Sequence, residues 1–195
     1  MNYWDKTMGS VEQAKSYIRS YGEGVGFPSR METLRWIKDN ESFLDVGCGS
    51  GCEYENIKAY NRNIDYKGVD YSQTFIQACQ ELFPEAIWEL QDANNLQEKD
   101  NSFDTVLLRH ILEHCEYYEQ PIKEAWRVAK KRIIIVFWVA PSKNSDIDKL
   151  DKVGEDCWHN IYSYSKLLQF LKTFTNKITI KEKVGKDNMV IIVEK

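Results

Sequence analysis

The segment Phe43-Leu44-Asp45-Val46 runs directly into Gly47-Cys48-Gly49-Ser50-Gly51, and a helical stretch begins close behind. Glycine has no Cβ, so this loop can turn sharply and let the backbone approach a ligand. The free N–H groups at the start of the following helix attract negative charge. A strand that turns through glycines into a helix is typical of open sheets that bind nucleosides at the carboxyl ends of their strands. This junction therefore constrains the fold more than any other feature of the chain.

Short apolar segments alternate with helical ones after this point. Strands are predicted over 43–46, 66–69, 86–90, 105–108 and 132–140, and helices over 53–60, 72–82, 111–117 and 121–130. A helix over 165–174 and strands over 177–184 and 189–194 follow, the two strands joined by the short turn Gly185-Lys186-Asp187-Asn188, which forces antiparallel pairing. Regular alternation predicts a parallel sheet covered by helices. We expect an α/β fold: a doubly wound, mostly parallel seven-stranded sheet with a C-terminal antiparallel strand pair and helices on both faces.

The chain has 195 residues, which suits one domain. We expect residues 1–40 to form an N-terminal helical cap, with one helix over 11–21 and a second that begins at the N-cap Ser29 and ends near Asn40. Residues 41–140 are expected to form the cofactor-binding core, and residues 141–195 the substrate-side loop with the closing helix and strands.

The composition of the chain restricts the classes of ligand and partner that we expect it to bind. The net charge of −4 disfavours binding to the phosphate backbone of nucleic acids. The first twenty residues lack the apolar core of a secretory signal, and the longest apolar run, 133–140, cannot span a membrane. Five cysteines form no C-x-x-C pair, so neither a disulfide framework nor a zinc ribbon is indicated. We expect a cytoplasmic monomer or homodimer that acts on a small molecule, without a membrane.

The type of nucleoside follows from three positions. Asp70 lies 19 residues beyond Gly51, the usual spacing for a carboxylate that accepts both hydroxyls of a ribose. A dinucleotide fingerprint would place its third glycine at position 52, which is Cys52. The carboxylate of Asp45, two residues before Gly47, would repel a pyrophosphate and favour an ammonium group. S-adenosylmethionine has a ribose and an ammonium group and carries no phosphate.

Several segments in order resemble the class I S-adenosylmethionine-dependent methyltransferases, from about Phe43 to the C-terminus. These segments are Leu44 to Gly51, Gly68-Val69-Asp70-Tyr71-Ser72, Asp92-Ala93, Ser102 to Leu108 and His110-Ile111-Leu112-Glu113-His114. The resemblance implies that Asp70 binds the ribose and that Asp92 accepts the amine of the adenine. The residues expected at the cofactor are Asp45, Gly47, Cys48, Gly49, Asp70, Tyr71, Asp92, Ala93 and Arg109.

Histidine is the natural base for removing a proton from a hydroxyl or amine nucleophile. His110, just beyond the fourth strand, and His159, in the long polar segment 141–164, are the catalytic candidates. His110 could instead shape the cofactor site through its backbone, and His114 could simply pack or cap. The pattern H-x-x-E-H over 110–114 also occurs in zinc proteases, but no separate metal-binding helix is indicated, and we expect no metal.

Some alternatives stay open. Arg30 and Arg109 are placed to meet the cofactor carboxylate, or each could form a surface salt bridge. Segment 141–164 could be a lid over the substrate or a solvated loop. Tyr3, Trp4, Trp36, Trp158 and Tyr162 fall in the two expected substrate regions, whereas Trp88, Trp126 and Trp138 are expected in the core. The competing functions are an NAD-type oxidoreductase and a non-catalytic cofactor-binding subunit, and protein or polysaccharide acceptors also stay open.

Overall fold

The architecture comes from a computed structural model, which describes residues 1–20, 24–185 and 189–195. Seven strands within these ranges form one sheet with the order β3-β2-β1-β4-β5-β7-β6. The strands are β1 (Ser42–Val46), β2 (Asp65–Asp70), β3 (Ile87–Leu90), β4 (Phe103–Arg109), β5 (Ala129–Phe137), β6 (Ile178–Lys181) and β7 (Met189–Glu194). The first five strands are parallel, and β7 pairs antiparallel with both β5 and β6. The predicted fold class is confirmed.

Helices cover both faces of the sheet because successive side chains of each strand point to opposite faces. The helices are α1 (Tyr3–Met8), α2 (Val11–Ser20), α3 (Pro28–Trp36), α4 (Cys52–Ala59), α5 (Gln73–Leu82), α6 (Glu119–Val128) and α7 (Tyr164–Leu171). On β5, Ile133 and Ile135 pack into one core with residues of α6 and α7. Ile134 and Val136 pack into a second core with residues of α3, α4 and α5. None of the described helices is long and apolar enough to cross a membrane.

The strand order places a crevice at one edge of the sheet. From β1 the chain proceeds outward to β2 and β3, and then returns to β4 on the other side of β1. The connections after β1 and β4 therefore diverge at the carboxyl ends of these strands, and ligands bind at such a switch point in open α/β sheets. This topology brings the glycine loop, Asp70 and the residues after β4 to the same edge.

Several predicted boundaries are wrong. The fifth strand spans Ala129–Phe137 rather than 132–140, and the helix predicted over 111–117 is only a 3-10 turn at Leu112–His114. Ser29 is not an N-cap, because α3 begins at Pro28 with Phe27 at the cap position, and Asn40 lies beyond its end. The end of the first predicted helix at residue 21 and most of the turn at 185–188 lie outside the described residues.

The N-terminus and the segment 141–164 meet, although they are far apart in the sequence. The Tyr3 N–H donates to the carboxylate of Asp156 at 3.0 Å, and Lys6 forms an ion pair with Glu155 at 3.2 Å. The segment also folds back on itself, since Lys149 bridges to Ile161 and Lys152 to Trp158. It is therefore a structured strap, although most of its residues from 143 to 156 are exposed to solvent.

Candidate active site

A cavity of about 840 Å³ opens at the carboxyl edge of the sheet. Its walls come from the glycine loop, the ends of β2, β3 and β4, helices α1 and α5, and the strap at 155–159. Every residue predicted for the site lines this cavity: Asp45, Gly47, Cys48, Gly49, Asp70, Tyr71, Asp92, Ala93, Arg109, His110 and His159. The structure thus brings the predicted set together in space, while the role of each residue stays a proposal.

The glycine loop is held against β2. The backbone N–H groups of Gly47 and Cys48 both donate to the carbonyl of Val69, at 2.8 and 3.0 Å. Gly47 has φ +74°, a left-handed conformation that side chains rarely adopt, and a Cβ there would overlap the Cγ2 atom of Ile111. Glycine at position 47 therefore allows Ile111, another cavity residue, to pack directly against the loop.

Asp70 ends β2 and is almost fully buried. Its Oδ2 accepts from the Gly49 N–H at 3.0 Å and its Oδ1 accepts from the Ser72 N–H at 2.9 Å. Burial raises the pKa of Asp70 to about 6, although these hydrogen bonds favour the ionised form. Each carboxylate oxygen keeps a further lone pair, so Asp70 can accept two hydroxyl groups from the cavity.

A buried polar cluster lies beneath the glycine loop. Tyr66 donates its hydroxyl proton to Asp45 Oδ2 at 2.7 Å, and Arg30 pairs with Glu53 at 2.7 Å. Burial and the nearby charge of Glu53 raise the pKa of Asp45 to about 7. Since both members of the Arg30–Glu53 pair are buried, the alternative of a surface salt bridge for Arg30 is wrong.

Arg109, at the end of β4, is also buried. Its guanidinium donates to the hydroxyl of Ser29 at 2.8 Å and lies 6.0 Å from the ring centroid of Phe27. The alternative of a surface salt bridge is wrong here too. Ser29 lies inside α3 rather than at its cap, and its hydroxyl holds Arg109 beside the cavity.

Asp92 and Ala93 follow β3 at the cavity wall. Asp92 Oδ1 accepts from both the backbone N–H and the side-chain amide of Asn94, at 2.8 and 2.9 Å. Asp92 is exposed, and this turn orients its carboxylate at the edge of the cavity.

The three histidines of the chain all line the cavity, in different ways. His110 has φ +54°, and its backbone N–H donates to the carbonyl of Val136 at 2.8 Å. His114 Nδ1 lies 2.9 Å from the carbonyl of Trp158, which can only accept, so Nδ1 carries the proton and Nε2 the lone pair. Burial lowers the pKa of His114. His159 is exposed, and its ring centroid lies 5.3 Å from that of His114.

The Glu113 carboxylate accepts hydrogen bonds from the backbone after β5 rather than from a neighbouring histidine. Its Oε1 accepts from the backbone N–H groups of Trp138 and Val139, at 2.5 and 3.2 Å, which ties the 3-10 turn to the end of β5. Burial raises the pKa of Glu113 to about 7. Within the described ranges no three His, Cys, Asp or Glu side chains are grouped as metal ligands would be.

The structure divides the aromatic residues differently from the sequence-based prediction. Trp4 and Trp158 line the cavity, whereas Tyr3, Trp36 and Tyr162 do not. Tyr162 is buried, and its hydroxyl donates to the backbone of the 3-10 turn. Trp138, predicted as core, is half exposed and lines the cavity.

Several cavity residues were not predicted for the site, among them His114, Trp138, Glu116, Glu155 and Asp156. His114 stands one helical turn after His110, a spacing that could have identified it. No local signal could have identified Trp138, because β5 ends one residue before it, earlier than the apolar run suggests.

Comparisons with known proteins agree with this geometry. Residues 44–137 match the family model described as "Methyltransferase domain". The chain is 24% identical to the tRNA N(3)-methylcytidine methyltransferase trm140 of Schizosaccharomyces pombe, over 69% of this chain and 48% of that protein. It is 31% identical to the ajmaline N-methyltransferase of Rauvolfia serpentina, over 51% of this chain and 36% of that protein.

Among solved structures, an S-adenosylmethionine-dependent methyltransferase from Methanosarcina mazei superimposes with a TM-score of 0.67. The match covers 84% of this chain and 96% of that one at 17% identity, so it shows a shared fold. The chain spans about half or less of the length of the two curated relatives above.

Proposed function

We propose that this chain is a class I, Rossmann-like S-adenosylmethionine-dependent methyltransferase, and that it transfers a methyl group to an oxygen or nitrogen nucleophile of a small molecule. The match of residues 44–137 to a methyltransferase family model and the shared fold support this proposal. The observation that carries the proposal is the buried carboxylate of Asp70, held by two backbone N–H groups at the edge of a large cavity. Relatives named as methyltransferases of tRNA and of ajmaline support the transfer itself and leave the acceptor open.

The charged and polar groups of the cavity fit S-adenosylmethionine. Asp70 offers acceptors for the two ribose hydroxyls, and Asp92 offers one for the adenine amine. Asp45 can attract the ammonium group of the methionine part, and Arg109 its carboxylate. When bound, this cofactor supplies a methyl carbon activated by a sulfonium.

The residues of the chain position the reactants and exclude water. Gly47, Cys48 and Gly49 let the ligand approach the backbone closely, while Trp4 from α1 and Trp158 from the strap cover the cavity. Holding the nucleophile in line with the methyl carbon can provide much of the rate acceleration in such a displacement. We take the strap and α1 as a lid, because Asp156 and Glu155 connect them.

His110 and His159 remain our proposed catalytic residues. His110 is half-buried in its left-handed turn, and it can shape the cavity through its backbone as well as its ring. His159 is exposed at the cavity and can exchange a proton with solvent. Conversion of each residue to Asn, with methyl transfer measured against pH, distinguishes a base from a structural residue, because only loss of a base removes a limb of the pH profile.

Calorimetric titration with S-adenosylmethionine and with its demethylated product, S-adenosylhomocysteine, tests the cofactor assignment. We expect Asp70→Asn to weaken binding of both by about tenfold or more, since a hydrogen bond to a charged group contributes about 1.5–3 kcal/mol. Asp39→Asn is a matched control, because Asp39 is exposed and pairs with Arg62 outside the cavity. Undetectable binding by the unmodified protein, or equal affinities in both variants, would refute the assignment.

The same titration separates the competing functions. An NAD-type oxidoreductase would bind NAD and not S-adenosylhomocysteine. The carboxylate of Asp45 disfavours a pyrophosphate beneath the glycine loop. A non-catalytic subunit would bind the cofactor normally but transfer no methyl group to any acceptor tested.

A further inference from the structure

We propose that the methyl acceptor is an amine, which the cavity binds as its ammonium ion between indole rings and carboxylates. This inference rests on the proposed function and narrows the nucleophile to nitrogen.

The charges around the cavity favour a cation. Among the described residues, six carboxyl side chains line the cavity, against two guanidinium groups. One charge of each sign is already compensated, because Arg30 is paired with the buried Glu53 and Glu155 is paired with Lys6. A cleft lined mainly by one sign of charge concentrates ligands of the opposite sign. The cavity therefore attracts ammonium ions and repels anionic acceptors.

Four of the carboxylates are exposed at the cavity, namely Asp92, Glu116, Glu155 and Asp156, and the last three are not assigned to the cofactor. The ammonium group of Lys6 lies 3.2 Å from Glu155, so this face already attracts a cation from the chain itself. Asp156 accepts from the Tyr3 N–H, which fixes its carboxylate at the junction of α1 and the strap. These groups provide a negative potential where a ligand enters.

Indole rings provide the second element of an ammonium site. Trp4 and Trp158 line the cavity from α1 and from the strap. The ammonium of Lys152 lies 4.9 Å from the ring centroid of Trp158, so this ring already engages in a cation–π contact. Such contacts contribute about 0.5–2 kcal/mol, and a neutral alcohol would not gain them.

His114 provides a further proton acceptor at the same place, in addition to the proposed bases His110 and His159. Its ring centroid lies 5.2 Å from that of Trp4, and Nδ1 is held by the carbonyl of Trp158, with the Cys157 sulfur 3.8 Å away and His159 nearby. The ammonium proton passes to His114 Nε2, which becomes an imidazolium and frees the nitrogen lone pair. The C–N bond then forms as the C–S bond breaks, the electron pair returns to sulfur, and the methylated nitrogen carries the positive charge.

Three probes of similar shape test the acceptor class: 2-phenylethylamine, 2-phenylethanol and 3-phenylpropionate. Each is titrated calorimetrically into protein saturated with S-adenosylhomocysteine at pH 7. We expect the amine to bind about tenfold more tightly than the alcohol, and the carboxylate to bind weakest. Equal or tighter binding of the alcohol or the carboxylate, or no binding of the amine, would overturn the proposal.

Neutralising carboxylates at the cavity tests whether they cause the preference for an amine over an alcohol. In a double variant with Glu116→Gln and Glu155→Gln, we expect the ratio of amine to alcohol affinity to fall by about threefold or more. Glu12→Gln, an exposed position on α2 outside the cavity, should keep the ratio. An unchanged ratio in the double variant would overturn the proposal. Saturation with S-adenosylhomocysteine is verified first, so failure of the cofactor assignment is seen separately.

Nuclear magnetic resonance of the imidazole nitrogens tests the proton acceptor. The chain has three histidines, so three single His→Asn variants assign every signal. We expect His114 in the loaded protein to be neutral at pH 7, with the proton on Nδ1. An imidazolium, or a proton on Nε2, would overturn its role in accepting the ammonium proton.

Discussion

Replacing Gly47 with alanine should destabilise the protein through two separable effects. The residue has φ +74°, and a left-handed conformation costs a residue with a side chain about 1–2 kcal/mol. The new Cβ would also overlap Ile111 Cγ2 and lie 3.2 Å from Ile111 Cβ, and overpacking of this kind costs about 1–3 kcal/mol. We therefore expect Gly47→Ala to lower the free energy of unfolding by about 2–5 kcal/mol.

Ile111→Ala separates the two effects, because it removes the overlapping atom and keeps the backbone. In that background Gly47→Ala should cost little more than the conformational part, about 1–2 kcal/mol, since only the Cβ at position 111, 3.2 Å away, remains close. The difference is a coupling energy of about 1–3 kcal/mol between the two positions, measured in a double-mutant cycle by urea unfolding. Gly24→Ala is the matched control, since a Cβ there meets nothing within 4 Å. It should leave stability unchanged or raise it by up to about 1 kcal/mol.

A loss below about 1 kcal/mol for Gly47→Ala would refute the steric reasoning, because it is smaller than either effect alone. A loss of the expected size with no coupling to Ile111 would show that the strain of the backbone, rather than contact with Ile111, requires glycine here. A large loss in the Gly24→Ala control would show that the glycine positions are sensitive for another reason.

Three more perturbations address buried charges. The pKa of Glu113, raised by burial to about 7, makes the folded state bind an extra proton between pH 4.5 and 7, so its contribution to stability is lost as pH rises through 7. Glu113→Gln should reduce the difference in unfolding free energy between pH 5 and pH 8 by on the order of 2 kcal/mol, and an unchanged difference would contradict this. Glu41→Gln should cost about 3 kcal/mol in urea unfolding, because it leaves the buried Arg132 uncompensated, while affinity for S-adenosylhomocysteine stays the same. A weakened affinity would count against this separation of stability from binding. Tyr66→Phe should cost about 1 kcal/mol and raise the pKa of Asp45 further above its usual range, since the lost hydrogen bond favours the ionised form. If the midpoint of the pH dependence of ligand affinity does not move to higher pH in Tyr66→Phe, the link between this hydrogen bond and the pKa of Asp45 is disproved.

Local sequence patterns could predict the site because the sheet topology brings the segments that carry these patterns to one edge. The glycine loop and Asp70 belong to β1 and β2, whose residues pair in parallel register from Ser42 with Asp65 to Val46 with Val69. Parallel strands end at the same edge of a sheet, so segments after their carboxyl ends must converge. That is why residues separated by more than 100 positions, from Asp45 to His159, line one cavity.

The errors arose where long-range contacts override local preference. Serine is a favoured N-cap residue, but the Ser29 hydroxyl instead accepts a hydrogen bond from Arg109, 80 positions away. Tyr162 lies in a polar segment, yet it is buried because its hydroxyl finds backbone acceptors in the 3-10 turn near Leu112. Trp138 extends an apolar run, but β5 ends at Phe137 and leaves the indole at the cavity.

Apolar periodicity and glycine conformation are local properties, so the residues alone predict the alternation of elements, the sheet that they form and the glycine-loop end of the cavity. The residues that line the opposite wall of the cavity depend on contacts between distant segments. The contact of Tyr3 with Asp156 spans 153 positions, and the bond of His114 to Trp158 spans 44. No local pattern encodes such pairings, since they depend on where the sheet places the ends of distant segments. The tautomer of His114 and the positions of Trp4 and Trp158 at the cavity wall follow from them.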